Sequence, residues 1–213
     1  SRTSRCVFSS SAYRVARLGV ARALGTATRH LVVSAVEHPA VMAPALHLRE
    51  QGWTLTVLPV DEFGRIAPDL LAGALRPDTA LVSVMHANNE VGTLQPIREI
   101  ARMTRERGIL LHTDAAQAAG KLPLDVDELG VDLLTLAGHK FYAPKGVGAL
   151  YVRGGTPLRS VMHGAEQEQG LRPGTENVAA IVGLGAAAAL AKASLPGASA
   201  HLAASGKRLG VVW

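Results

Sequence analysis

A chain of 213 residues, 48% hydrophobic and 18% charged, is long enough to bury a core and too apolar to remain disordered. Its formal charge of +5 does not mark a nucleic-acid binder: six arginines fall within residues 1–29, and the other 16 of the 22 basic residues face 17 acidic ones. A phosphate-tracking groove needs clustered cations among aromatics, and only 4% of the residues are aromatic.

Residues 1–29 carry no carboxylate and are rich in Arg and Ser, the composition of an organelle transit peptide, but no cleavage pattern is readable. Ala12–Leu24, with Val15, Leu18, Val20 and Leu24 apolar among spaced arginines, reads as an ordinary helix. The single cysteine, Cys6, excludes an intramolecular disulfide. Beyond this start, short apolar runs alternate with segments of helical spacing. Strands are expected at Leu31–Ala35, Thr54–Leu58, Ala80–Met85, Ile109–Thr113, Leu133–Leu136 and Val147–Val152. Helices are expected near Pro39–Glu50, Pro68–Leu75, Pro96–Arg107 and Asp127–Leu129, the first three opening at a proline, which costs little at a helix start. Alternation of this kind predicts an α/β fold, a mostly parallel sheet flanked by helices.

Alanine-rich Val178–Lys192 reads as a further helix. Its Gly183-Leu184-Gly185 lacks the strand and third glycine of a dinucleotide fingerprint and points to close helix packing. Leu195-Pro196-Gly197-Ala198-Ser199 reads as a linker. No apolar run is read as reaching the roughly 18 residues needed to cross a bilayer, so a soluble, cytoplasmic protein is expected. The organisation expected is an Arg-rich segment 1–29, a large domain 30–193 and a tail 194–213.

Ligands of open α/β sheets sit beyond the carboxyl ends of the strands. That rule selects Val36-Glu37-His38, His86-Ala87-Asn88-Asn89-Glu90, His112-Thr113-Asp114-Ala115-Ala116-Gln117 and Ala137-Gly138-His139-Lys140. Polar groups gathered there are costly to bury unpaired, and a polar cofactor accounts for them. Pyridoxal 5'-phosphate needs an amine for an imine, a carboxylate for its ring nitrogen, a flat partner for its ring, and donors for its phosphate and phenolic oxygen. Lys140, Asp114, His38, His139 and Gln117 meet these needs one by one. Individually each has a plainer reading: Lys140 as a solvated lysine, His38 as a helix cap. Asp125, Asp127, Glu128 and Asp132 read as a solvated helix face. A metal hydrolase is the competing class: His112 and Asp114, two residues apart on one strand, could share an ion with His86 or His139. It leaves Lys140, Gln117 and Asn89 without roles.

Met85–Gly92, His112–Gln117 and Gly138–Arg153, which opens Gly138-His139-Lys140-Phe141-Tyr142-Ala143-Pro144-Lys145-Gly146, resemble the cysteine desulfurase/selenocysteine lyase family. That family lies in the class-V aminotransferase group of fold-type I pyridoxal-phosphate enzymes. Arg172-Pro173-Gly174-Thr175-Glu176-Asn177 matches a further block. The resemblance implies that Lys140 is the Schiff-base lysine and proton carrier, that His38 stacks on the ring, and that Asp114 meets the ring nitrogen. It assigns Gln117 to the phenolic oxygen, Asn89 to that oxygen and the substrate carboxylate, and His139 to the phosphate. Thr175 reaches the phosphate of the partner subunit's site, which implies a homodimer. The implied reaction removes sulfur from L-cysteine to give alanine and a persulfide, for iron–sulfur cluster or thio-cofactor assembly, with a sulfur-acceptor protein as a partner.

The sequence departs from the family at several points. Ala137 replaces a phosphate-binding Ser or Thr, Gly164-Ala165-Glu166 replaces a run of glycines, and Phe8–Arg14 stands where a Thr-Glu-bearing phosphate loop is expected. The small domain that carries the nucleophilic cysteine and a substrate-binding arginine has no counterpart, and Cys6 is at the wrong end to replace that cysteine. Impaired persulfide formation is therefore expected. Selenocysteine lyase-like activity and a non-catalytic remnant are the alternatives.

Overall fold

A computed structural model describes residues 3–8, 12–25 and 28–208 of the chain. Ser9–Ser11, in the place of the expected phosphate loop, lie outside the described residues. The elements in order are β1 (Arg5–Phe8), α1 (Ala12–Leu24), β2 (His30–Ser34), α2 (Pro39–Glu50), β3 (Thr54–Leu58), α3 (Pro68–Ala74), β4 (Thr79–Ser83) and α4 (Ile97–Glu106). They continue with β5 (Leu110–Asp114), α5 (Val126–Leu129), β6 (Leu133–Ala137), a 3-10 turn (Gly138–Phe141), β7 (Gly148–Val152), the single turn α6 (Gln167–Gly170) and α7 (Val178–Arg208).

The described strands form one sheet in the order β1-β7-β6-β5-β4-β2-β3. Strands β2 to β6 run parallel, and β7 pairs antiparallel with both β6 and β1. Side chains alternate across the sheet, so one strand feeds two cores. Leu31 and Val33 face a layer built by α1 and α2 with Val15, Val20 and Leu48, whereas Val32 joins Leu71, Ile97 and Ile100 beneath α3 and α4. Both faces are covered, which is why these strands are apolar nearly throughout.

Three features depart from the sequence reading. The first 29 residues contribute a strand as well as a helix: β1 extends the sheet edge, with Cys6 opposite Tyr151. A four-residue strand with one buried side chain, Val7, leaves little periodicity to read. Secondly, the helix expected to stop at Lys192 continues to Arg208 through the supposed linker, with Pro196 inside it. Alanine propensity on both sides carries the helix across a residue that ordinarily breaks one. Thirdly, within that helix Val178–Ala198 is long and apolar enough to cross a membrane by length and composition, contrary to the reading of the sequence. Alanine supplies much of that hydropathy. One flank packs Ala180, Leu184 and Ala187 against Phe141, Val147 and Ala149, while Val182 and Leu190 are exposed.

Gly138 shows how tightly α7 meets the sheet end. A Cβ there would lie 2.8 Å from the Val147 carbonyl oxygen and 3.0 Å from Leu184 Cδ1. Gly138→Ala is expected to cost about 1–3 kcal/mol through overpacking, read as a lowered Tm in thermal denaturation. An unchanged Tm would show that the contact relaxes freely.

Candidate active site

The sheet topology decides where a site can form. From β2 the chain crosses by α2 to β3 on one side, and α3 and α4 then lead through β4 to β5 on the other, packed on the opposite face. The order therefore reverses between β2 and β4, and a crevice opens beyond their carboxyl ends. A cleft of about 280 Å3 lies there, lined by His38 after β2, Asn89 after β4, Asp114 and Gln117 at the end of β5, and His139 and Lys140 after β6. Four strand ends thus bring together every residue expected to hold the cofactor except Thr175, which is exposed in the segment before α7 and does not line the cleft.

Local structure positions each of these groups. His38 is the N-cap of α2: its Nδ1 accepts the Ala40 N–H at 3.1 Å, with Pro39 opening the helix. It caps the helix and lines the cleft at once, so its two readings are compatible. Asp114 is 3% exposed, and its Oδ1 accepts the Ala116 N–H at 2.9 Å, turning the chain so that Gln117 joins the cleft. Asn88 and Asn89 divide their work. Asn88 is buried and structural, its Oδ1 accepting the Glu90 and Val91 N–H groups and its Nδ2 donating to the Val36 carbonyl at 3.2 Å, which leaves Asn89 exposed beside the cleft. His139 and Lys140 sit on the 3-10 turn and are exposed; the Lys140 carbonyl accepts from Lys121 Nζ at 3.4 Å. Ala137 lines the cleft with no hydroxyl to offer.

Behind the cleft lies a polar layer whose burial the sequence did not reveal. Arg17 of α1 is 1% exposed; its Nη2 donates to the Ala40 carbonyl at 2.9 Å and its Nη1 to His112 Nδ1 at 3.3 Å. His112 also meets Ser83 Oγ at 2.8 Å, and its Nε2 meets Thr135 Oγ1 at 2.7 Å. With Arg17 as donor, Nδ1 accepts and Nε2–H donates. Burial, reinforced by Arg17, holds the His112 imidazole well below its ordinary range, so it is a neutral ring. Glu37, next to His38, is also buried, and burial pushes its carboxyl up to about 7. The available signal was Glu37 itself, a carboxylate at the end of an apolar strand. Arg17 gave none, because one arginine of an amphipathic helix looks like the others until the helix is packed.

This arrangement separates the residues of the competing metal reading. Hydroxyls occupy both ring nitrogens of His112, and His86 does not line the cleft. Among the described residues no three His, Cys, Asp or Glu side chains are grouped to share an ion. Cys6 is on the edge strand and is not a lining residue. The acidic residues around α5 are only partly a solvated face. Asp125 caps the helix, Asp127 pairs with Arg153 at 2.7 Å and Glu128 with Arg98. Asp132, half-buried, accepts the Leu111 N–H at 2.8 Å. In the Arg172–Asn177 block, Arg172 pairs with the half-buried Glu168 at 2.8 Å and donates to the Gly174 carbonyl at 2.7 Å, folding the segment that carries Thr175.

Comparison with known proteins fits this geometry. The Aminotransferase class-V family matches residues 3–204. The chain is 54% identical over 173 residues to the cysteine desulfurase IscS of Dictyoglomus turgidum, covering 81% of this chain and 44% of that protein. It is 49% identical over 177 residues to the IscS of Methanosarcina thermophila, covering 83% and 44%. The chain therefore spans a little under half the length of these relatives. Among solved structures, a NifS-like protein superposes with a TM-score of 0.87 at 38% identity, covering 90% of this chain and 54% of that one. SspA in complex with cysteine gives 0.81 at 41% identity, covering 86% and 54%.

Proposed function

The chain belongs to the class-V aminotransferase family, and we propose from that premise that it is the cofactor-binding part of a pyridoxal-phosphate-dependent cysteine desulfurase. One observation carries the reading: a single cleft is lined by an amine, a carboxylate, two imidazoles and two carboxamides drawn from four strand ends. An exposed amine facing a buried carboxylate suits a group with an aldehyde at one end and a basic ring nitrogen at the other. When bound, pyridoxal phosphate supplies an electron sink for the bonds at the substrate's Cα. The chain's own residues do the rest. Lys140 would hold the cofactor through Nζ, and its amine would carry the proton of the substrate's Cα. Asp114 would keep the ring nitrogen protonated, His38 would support the ring face, and Gln117 and Asn89 would donate at the phenolic oxygen. Asn89 would also meet the substrate carboxylate, and His139 would hold the phosphate. Thr175 would serve the second site of a homodimer.

L-cysteine is the proposed substrate, supported by the cysteine bound in the similar SspA structure. The sulfur passes to a protein thiol and on to an acceptor protein for iron–sulfur cluster or thio-cofactor assembly, in the cytoplasm. The direct test is titration of the purified chain with pyridoxal phosphate. The reading expects the visible band of a lysine-bound pyridoxal and, after borohydride reduction and digestion, the label on Lys140. No band, or a label on another lysine, would remove the proposal.

A further inference from the structure

None of the roles above uses Glu37, although it adjoins His38. Its Oε1 accepts the Ser34 hydroxyl at 2.6 Å and the Met85 N–H at 2.7 Å. Its Oε2 is buried without a hydrogen-bond partner. Met85 follows β4, so this one carboxyl joins the turn after β2 to the segment after β4 across the point where the strand order reverses. Asn88 makes the return tie through the Val36 carbonyl. His38 and Asn89, facing walls of the cleft, therefore stand on two segments pinned together through Glu37 and Asn88.

The charges around Glu37 determine the form in which it does this. It faces Asp114 at the end of β5 and Arg17 on α1. On its outer side a second cleft is lined by Asp61, Glu62 and Glu90. At Glu37 the influences of Asp114 and Arg17 oppose each other, so burial decides, and a buried anion costs far more than a neutral carboxyl. The proton falls to Glu37, whose Oε2 has no donor to steady a charge. A neutral carboxyl still accepts at Oε1, so the tie to Ser34 and Met85 survives protonation.

Resting on the cofactor reading of this cleft, we propose that Glu37 is a positioning residue, a proton-bearing clamp that fixes the spacing between the His38 and Asn89 walls. Glu37 holds its proton more tightly folded than unfolded. Its contribution to stability is therefore complete below its unfolded value of 4.5 and is lost as pH rises through about 7. Above that, the buried anion repels Asp114 and loosens the clamp.

Glu37→Gln imitates the protonated carboxyl, and Glu37→Ala removes the tie. Each is compared with the parent chain by pyridoxal-phosphate titration at pH 6 and pH 8 and by thermal denaturation without cofactor between pH 5 and pH 8. At pH 6 the Gln variant should bind within about twofold of the parent, and the Ala variant roughly 10-fold or more weakly, as for loss of a supporting residue behind a site. From pH 5 to 8 the parent's Tm should fall by roughly 5–10 °C relative to the Gln variant. Equal weakening in Gln and Ala, or undiminished affinity in Ala, overturns the proposal. Should Ala not fold, the Gln comparison decides alone, and parallel Tm profiles for Gln and parent overturn the proton-bearing clamp. A parent that takes up no cofactor is the distinct failure of the cofactor reading; the cofactor-free Tm profiles still judge the clamp.

Discussion

Lys140→Ala is expected to abolish the absorption band of lysine-bound pyridoxal and to slow Cα proton exchange of L-alanine in heavy water by at least about 10^3-fold. The exchange assay isolates the step that this part of the protein would serve, because it needs no protein thiol. One amine is given two tasks, the covalent hold on the cofactor and the transfer of the Cα proton, so its removal takes both at once. The fold should tolerate the change. Lys140 is exposed on the 3-10 turn, and the hydrogen bond recorded there uses its backbone carbonyl. Surface substitutions of that kind stay within about 0.5 kcal/mol, so Tm separates a chemical loss from a structural one. A band and an exchange rate that persist in this variant would show that another group carries the chemistry.

Asp114→Asn should be the next most severe. The asparagine Oδ1 still accepts the Ala116 N–H that Asp114 now takes at 2.9 Å, so the turn delivering Gln117 is preserved. What is lost is the negative charge that, on the proposed reading, would keep a ring nitrogen protonated in the cleft. Exchange should fall by roughly 10^2–10^3-fold, the scale of removing one preorganised electrostatic partner. Asp114 also contributes to holding Glu37 protonated. Its neutralisation should therefore move the pH-dependent loss of stability to lower pH, a second readout independent of turnover. Exchange within threefold of the parent would mean that the ring nitrogen needs no carboxylate here.

Much of the site was legible in the sequence because strand ends are local features. An apolar run followed by His, Asn, Asp or Lys already states that a polar group stands at the carboxyl edge of a buried strand, and six of the seven expected residues line one cleft. Thr175 was readable only through resemblance, and its place is in a separate exposed segment. Arg17 escaped, His112 was weighed only as a metal ligand and Glu37 was given no role, because their significance lies in burial and in partners distant in the chain. Arg17 and His112 are 95 positions apart, and no local pattern records that pairing. The continuation of α7 through Pro196 likewise reflects the tolerance of an alanine-rich helix for one break.

The order of the strands was never in the sequence as a pattern. Hydrophobic period and turn residues determined the elements, most to within a residue or two, because local burial and backbone preference act over a few positions. The pairing of β2 with both β3 and β4, the reversal between them, and the antiparallel return of β7 and β1 depend on which apolar faces cover each other after collapse. That packing opened the cleft, set Asp114 at its floor and put Glu37 between two strand ends. The residue types for the chemistry were determined by the sequence alone. Their convergence, and the buried charge balance behind them, arose only when the sheet closed over its two cores.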